Sequence, residues 1–574
     1  MQVVINETRY QVEEETSILQ LCQMLGIKIP HLCWHPDLTP EARCRMCVVE
    51  VNGHVRAACH TPVCDDMVIE TDSEKIRNYR QLNLELLLDG DHTFNLEEDN
   101  EFSRLVRELN AEGSLGNGRT NGANIDASSP ALIRDMNRCI LCGKCIQVCQ
   151  FVQQVNAIGF SNRGHDMEIC PVFGKSISEA GCVYCGQCAN VCPTGAIREK
   201  DYIEEVKAAL LDPSKMVVVQ TAPAVRVTLG ETQNLEPGQV MTGRMVSALR
   251  KLGFDRVLDT NFAADLTILE EGTELIHRIQ YDKPLPMITS CCPGWIKFAE
   301  HYYPDLIPHL STCKSPQQMF GAIVKSYYAQ KIGKRPSDIV CVSIMPCTAK
   351  KFEITRPSMN VSGRRDVDYV LTTHELGRWL NAEHIDLKRL GDSPFDPVMG
   401  MSTGAAAIFG STGGVMEAAL RTVSDLLEGV DLQRLDYEQV RGAKGIKESA
   451  LTLGNREIRV AIAHGLGNAR ILMDDLRKGT SDYHFIEIMA CPGGCIGGGG
   501  QPKPTTQSTI KKRMEAIYNA DRSLPIRKSH QNPEIQALYE TYLGQPGSDK
   551  AHRLLHTRYN NRKKTLGDLK DLEI

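Results

Sequence analysis

Thr289-Ser290-Cys291-Cys292-Pro293-Gly294-Trp295 is the stretch on which the reading of this chain turns. Two later stretches answer it: Met345-Pro346-Cys347 and Met489-Ala490-Cys491-Pro492-Gly493-Gly494-Cys495. Four cysteine thiolates are the usual ligand set of a cubane iron–sulfur cluster, and the three stretches together offer five. Ligands so far apart in sequence meet only where a folded domain gathers three loops. The flanking prolines and glycines are those that tight turns around a buried cofactor require. The plainer reading, ordinary buried cysteine, is common for single residues and leaves the recurrence of such segments unexplained.

Read in full, the segments are TSCCPGW, MPCTAKKFE and EIMACPGGCIGGGGQP. They resemble the three H-cluster signatures of the [FeFe] hydrogenases, and the resemblance runs from Met1 to about Tyr559. It implies a cubane joined through one cysteine to a diiron subcluster carrying CO, cyanide and a bridging azadithiolate. By position, Cys292, Cys347, Cys491 and Cys495 then hold the cubane, Cys495 bridges to the diiron unit, and Cys291 passes protons to the bridging amine. The same carry-over puts Ala222, Pro223, Met345, Lys350 and Met489 around the cluster, with Lys350 donating to a cyanide. Some family members have Ser where this chain has Ala224.

Outward from this centre, the composition is that of a multidomain globular protein: 42% apolar, 24% charged, net charge −6 from 65 basic and 71 acidic residues. That balance excludes a strongly basic nucleic-acid binder. The start Met-Gln-Val-Val-Ile-Asn reads as a strand rather than an export signal, and no apolar run reaches the ~18 residues that span a membrane. The 22 Cys fall in metal-ligand spacings, so the expectation is a reduced, cytoplasmic protein whose thiols bind iron.

Residues 1–77 open with a hairpin pattern, Val3–Ile5 and Tyr10–Val12, then a helix from Ser17 to about Gly26 with Thr16 as its cap. The series Cys33-x10-Cys44-x2-Cys47-x11-Cys59 suits a [2Fe–2S] cluster in a spacing unlike the plant-type one; a zinc site is the alternative. It resembles the N-terminal β-grasp ferredoxin-like domain of these hydrogenases and of the iron–sulfur subunit of complex I. Cys22 and Cys64 read as structural thiols. In residues 78–130, Arg80–Leu88 reads as an amphipathic helix. The family's His-and-three-Cys site is reduced to His92, followed by a short acidic stretch that reads as a candidate docking surface for a partner, and Gly113–Ser129 reads as a linker.

Residues 131–206 hold a repeat: Cys139, Cys142, Cys145 and Cys149, then Cys182, Cys185, Cys188 and Cys192 with Pro193. This is the bacterial two-cluster ferredoxin pattern, in which the fourth Cys of each run ligates the other cluster. Cys139, Cys142, Cys145 and Cys192 then hold one [4Fe–4S] cluster, and Cys182, Cys185, Cys188 and Cys149 the second. Cys170 falls outside both runs. Residues 207–525 alternate strand and helix, with strands Met216–Gln220, Met287-Ile288 and Val340–Ile344 and helices Met241–Leu252 and Gln317–Ile332. This argues an α/β domain with ligands at strand ends. The run Gly497–Gly500 lacks the order of a phosphate-binding loop. Residues 526–574 read as a small helical extension with Arg562–Lys564 a solvated tail.

Glu271, Glu274 and Arg278 share one helix face by spacing, normally a solvated one. The resemblance instead puts Cys291, Glu271, Ser311, Glu274 and Arg278 on a proton path. The expected function is reversible interconversion of H2 with protons and electrons, relayed through iron–sulfur clusters to ferredoxin or a flavin-containing NAD(P) diaphorase subunit, after maturation proteins install the diiron unit. The closest resemblance is to the NADP-reducing and bifurcating types. A hydrogen sensor built on the fold tends to lose the relay thiol, which Cys291 supplies here. An electron-transfer subunit of a larger redox complex would not need the three H-cluster segments, and the related assembly factors lack the full first one.

Overall fold

A computed structural model describes residues 1–13, 15–88, 93–111, 125–281, 283–428, 435–442, 444–453 and 456–563. The chain divides into two compact units: Met1–Phe151 with Asn156–Ala180 and Val191–Arg198, and Val152–Val155 with Gly181–Asn190 and Glu199–Ile574.

The first unit begins with a mixed five-stranded sheet of order β2-β1-β5-β3-β4, from β1 (Gln2–Ile5), β2 (Thr8–Gln11), β3 (Val48–Val51), β4 (His54–Ala57) and β5 (Met67–Glu70). β1 is antiparallel to β2 and parallel to β5. The hairpin turns at Asn6 and Glu7, both at positive φ. Helix Ile18–Met24 is capped by Ser17, not Thr16: the Ser17 hydroxyl accepts from Gln20 N, and the Gln20 side chain accepts from Ser17 N. This capping box leaves fewer orphan donors in the first turn. Ile18 and Leu19 of the helix join Val3, Ile5, Val49 and Ile69 of the sheet in one core, the β-grasp arrangement. Each such side chain contributes about 1.5–3 kcal/mol by burial.

The next helix starts earlier than periodicity suggests, at Glu74, and runs to Leu88. Arg80, on its buried face, donates to Val48 O (2.7 Å) and Thr71 O (2.8 Å) and so ties the helix to the sheet. His92 and most of the predicted linker lie outside the described residues. The acidic stretch after it leaves Glu97 and Asp99 exposed, while two of its carboxylates also pair inside the unit. Asn100 caps helix Glu101–Glu108, Glu98 receives Arg138 at 2.7 Å, and Glu101 receives Lys144 at 3.2 Å. Beyond it lie β6 (Ile125–Asp126), β7 (Leu132–Asp135), the hairpin β8 (Ile158–Ser161) and β9 (Glu168–Pro171), and β10 (Ile197–Glu199), with sheet order β10-β7-β6.

The second unit contains two four-stranded sheets. One, β12-β11-β14-β15, is all parallel: β11 (Met216–Thr221), β12 (Arg256–Asp259), β14 (Ile339–Met345) and β15 (Tyr369–Thr372). Its central strands are near-continuous runs of Val and Ile, as strands covered on both faces must be. The other, β13-β18-β17-β16, pairs β13 (Met287–Ile288), β18 (Phe485–Met489) and β17 (Arg456–His464) in parallel, with β16 (Ile446–Leu453) antiparallel at its edge. The predicted helix Gln317–Ile332 is interrupted. Pro316–Ile323 passes into a π turn, Val324–Tyr328, before Ala329–Lys331. There the Ser326 hydroxyl donates to Ala322 O at 2.7 Å, a back-bond that competes with regular helix geometry. In the C-terminal extension, Arg562 is no solvated tail, because its Nε donates to buried Glu300 at 2.7 Å; Lys564 lies outside the described residues. Among the described residues no helix is long and apolar enough to cross a membrane.

Candidate active site

Four parallel strands from the two sheets end at one place. β11 runs into Ala222 and Pro223, β13 into Cys291 and Cys292, β14 into Cys347, and β18 into Cys491. The cavity between these strand ends has a volume of about 700 Å³. Cys291, Cys292, Cys347, Cys491 and Cys495 all line it. So do Ala222, Pro223, Met345, Met489 and Lys350, whereas Ala224 is fully buried in the core beside it.

Cys292, Cys347, Cys491 and Cys495 lie close enough that a thiolate at Cys292 opposes ionisation of Cys347, Cys491 and Cys495. Burial comes first in holding Cys347, Cys491 and Cys495 protonated: it pushes Cys347 up to about 12, and Cys491 and Cys495 also well up. Thiols gathered this closely ionise together only against cationic metal. Cys292 Sγ already accepts an N–H bond from Ala490 at 3.4 Å, the hydrogen bonding that tunes a cluster thiolate. The donor set therefore fits a thiolate-bound cubane. The turn from Cys491 to Cys495 needs glycine: Gly494 has φ 90° and ψ −150°, and a Cβ there would sit 2.6 Å from Thr412 N. The run Gly497–Gly500 is explained by packing, since Cβ atoms there would collide with the carbonyls of Pro492, Pro346 and Cys185 and with the side chain of Thr372.

Lys350 Nζ donates to Cys291 O (3.1 Å) and Glu353 Oε2 (3.0 Å), leaving one of its three donors for the cavity. Cys291 is itself buried, its thiol held protonated first by burial and then by nearby Glu271. Glu271 sits on helix Asn261–Gln280, 1% exposed. Burial, followed by the charge of Glu274, raises its carboxyl to about 8, so at neutral pH it is an acid that still carries its proton. Neither carboxyl oxygen has a hydrogen-bond partner among the described residues. The neighbouring Ser311 hydroxyl donates onward to Glu274 Oε2 at 3.0 Å. Glu274 Oε1 is clamped by Arg278 Nη2 at 2.6 Å, and Arg278 also donates to Pro308 O and Leu310 O. The face shared by Glu271, Glu274 and Arg278 is thus buried, not solvated.

The other cysteine groups are also assembled. Cys33 lies against Cys44 and Cys59, and Cys47 against Cys59. Cys139, Cys142, Cys145 and Cys192 line one small pocket. Cys33 and Cys142 share an apolar cluster with Phe102 and Ile140. In the second unit, Cys182, Cys185 and Cys188 are neighbours, and Cys185 lies near Cys491. Gln187 donates to Gly497 O at 2.9 Å. Cys149 Sγ accepts from Ala157 N at 3.3 Å. Cys22 is fully buried, while Cys64 is exposed, its Sγ 4.0 Å from Pro62 O.

Comparison with known proteins agrees with this geometry. Residues 215–499 match the C-terminal domain of the iron only hydrogenase large subunit, and 507–562 match the iron hydrogenase small subunit. Residues 1–74 match a 2Fe-2S iron-sulfur cluster binding domain, and 129–198 the ferredoxin-like domain of NADH-quinone oxidoreductase subunit 3. The NADP-reducing hydrogenase subunit HndD of Solidesulfovibrio fructosivorans is 45% identical, over 98% of this chain and 99% of its own length. The chain belongs to the [FeFe] hydrogenases. Iron hydrogenase 1 of Clostridium pasteurianum is 41% identical over 97% of this chain and 99% of its own. The solved apo [FeFe]-hydrogenase of Chlamydomonas reinhardtii superposes with a TM-score of 0.57 at 46% identity, covering 63% of this chain and 99% of that one.

As an [FeFe] hydrogenase, the protein interconverts H2 with protons and electrons and carries an H-cluster, two [4Fe–4S] clusters and one [2Fe–2S] cluster. Several residues of its cavity carried no sequence signal. Phe409, Gln317 and Thr260 line it but belong to none of the cysteine segments. Gln317 Nε2 donates to Glu353 Oε2 at 3.0 Å, behind Lys350. A polar residue directly after Ser315-Pro316 was the only hint of it.

Proposed function

We propose that Cys292, Cys347, Cys491 and Cys495 hold the H-cluster cubane, that Cys495 bridges to the diiron unit, and that Cys291 is the first proton carrier. When bound, the H-cluster supplies the iron at which H2 is made or split. Lys350 would hold its charge against the bound group, and Ala222, Pro223, Met345 and Met489 would exclude water from the cavity that they line. Glu271, neutral at pH 7, takes the next step, Ser311 passes the proton on, and Glu274 receives it; Arg278 keeps its charge and positions Glu274. The observation that carries this reading is the convergence of five thiols and Lys350 on one cavity beside Glu271.

Electrons enter at the [2Fe–2S] site of Cys33, Cys44, Cys47 and Cys59. They continue through the Cys139–Cys142–Cys145–Cys192 cubane and the one of Cys182, Cys185, Cys188 and Cys149. Their external partner is ferredoxin or a flavin-containing NAD(P) diaphorase subunit, and maturation proteins deliver the diiron unit. The cytoplasm is the compartment that suits this thiol chemistry. The functional division is 1–77, 78–130, 131–206, 207–525 and 526–574. Infrared spectroscopy of the matured protein tests the reading. CO and cyanide stretches together with methyl viologen-linked hydrogen turnover are expected; a fully matured sample showing neither refutes it.

A further inference from the structure

At Glu274 the chain assembles a second group of donor atoms, of which Cys313 and His556 have no part in the hydrogen chemistry. A carboxylate oxygen of Glu274, Sγ of Cys313 and a ring nitrogen of His556 all lie within 4.8 Å of one another. Cys313 Sγ is 3.9 Å from Glu274 Oε2. The Thr312 hydroxyl lies among them, 3.1 Å from Glu274 Oε2 and 2.7 Å from His556 Nδ1. These atoms come from the helix Asn261–Gln280, the segment just before helix Pro316–Ile323 and the end of helix Asp549–Leu555, so the fold itself brings them together.

The imidazole is held as a metal ligand is held. Its far nitrogen, Nε2, lies 3.1 Å from Glu270 Oε2, and Glu270 is fixed in turn by Tyr539 Oη and by Gly547 N (2.9 Å). A carboxylate behind one imidazole nitrogen presents the other, Nδ1, toward the ligand position. Glu274 is oriented from its other oxygen by Arg278. The group is also reachable, because the Glu274 side chain is 14% exposed and that of His556 5%, while Cys313 is fully buried.

We propose that Glu274, Cys313 and His556 form a binding site for a soft divalent cation of the zinc type, and that its occupancy closes the outer end of the proton route. One thiolate, one imidazole and one carboxylate make a mixed S, N, O set that suits Zn²⁺; the ion would replace the Thr312 hydroxyl as partner of Glu274 and His556, and that hydroxyl or solvent would complete four-coordination. Binding releases the Cys313 thiol proton, and the thiolate and Glu274 carboxylate together balance the two charges of the ion. The Glu274 oxygen that now accepts from Ser311 becomes a metal ligand and no longer receives protons. The gating half rests on the assignment of Glu274 to the proton route; the binding half does not.

The test uses the matured, cluster-loaded enzyme in a Cys64→Ser background, so that the exposed thiol cannot compete. After a chelator wash, Zn²⁺ is added at one equivalent and its K-edge absorption is recorded alongside hydrogen turnover. The expected signal is one sulfur at about 2.3 Å with nitrogen and oxygen at about 2.0–2.1 Å, with turnover falling as the site fills and returning with chelator. Cys313→Ala should remove the sulfur shell. Glu270→Gln, which leaves all three donors in place, should weaken zinc about 10–100-fold. Inhibition is read against each variant's own zinc-free rate. A wild-type spectrum without sulfur, or one unchanged by Cys313→Ala, overturns the site. A sulfur-ligated zinc that leaves turnover untouched overturns the gating and, with it, the place of Glu274 on the route.

Discussion

Replacing Glu271 by glutamine keeps the size and shape of the side chain and removes the proton it carries. The carboxyl is 1% exposed and without a hydrogen-bond partner among the described residues, between Cys291 on one side and Ser311 on the other. Burial, more than the charge of Glu274, lifts it to about 8. Below that pH it is a neutral acid able to hand a proton to Ser311 and take another from Cys291. A positioned proton-transfer group is worth about 10²–10⁴-fold in rate, and Glu271→Gln should lose turnover within that range. Iron content and the CO and cyanide bands should not change.

The same shift fixes a second, opposite effect. A carboxyl whose folded value lies above its unfolded one binds more protons folded than unfolded across the interval between them. Stability therefore falls as pH rises from the ordinary carboxylate range toward 8, then levels off. Each unit of that interval is worth about 1.4 kcal/mol, so the whole amounts to a few kcal/mol. Glutamine, neutral throughout, escapes this loss. The variant should match the parent in thermal midpoint near pH 5 and exceed it increasingly up to about pH 8. Solvent-isotope-resolved turnover and a pH series of unfolding midpoints measure the two effects separately. Wild-type turnover in Glu271→Gln refutes the relay role, and a midpoint difference independent of pH refutes the neutral, buried carboxyl.

Cys291→Ala should keep its iron and its CO and cyanide bands while losing about 10²–10⁴-fold in turnover, whereas Cys292→Ala should lose the H-cluster itself; iron analysis with infrared spectra separates the two. Total iron in the matured chain should be about 16 atoms, because no thiol lies between Cys64 and Cys139 to build a further cubane; a value near 20 would contradict this. Lys297, buried, donates to Cys182 O at 2.6 Å and lies 4.4 Å over the Tyr184 ring, so its charge favours the reduced cluster. Lys297→Met should lower one midpoint in an EPR-monitored titration and leave the others in place.

The cysteine segments were legible because their chemistry is local: a thiolate, a turn-forming Pro or Gly, and a strand before them. β13, β14 and β18 each deliver such a turn, and the strand ends could be placed from short apolar runs alone. The proton face was legible only as a spacing. Glu271, Glu274 and Arg278 read equally well as a solvated stripe, and what buries them is packing that includes the C-terminal extension, nearly three hundred residues later in the chain. His556 reaches Glu270 and Thr312 across that distance, and no period or motif in either segment announces the meeting. Phe409 is similar, a lone aromatic in a Gly- and Ala-rich stretch whose cavity-facing position follows from the fold alone. The acidic stretch near residue 98 shows the converse. Its charges read only as a surface for a partner, and the spacing gives no sign that Glu98 and Glu101 also pair with Arg138 and Lys144, beside Cys139 and Cys145. What the two ion pairs do is local: they tie the segment of Glu98 and Glu101 to the loop that carries Cys139 and Cys145, a pairing between residues some forty positions apart that neither stretch shows by itself.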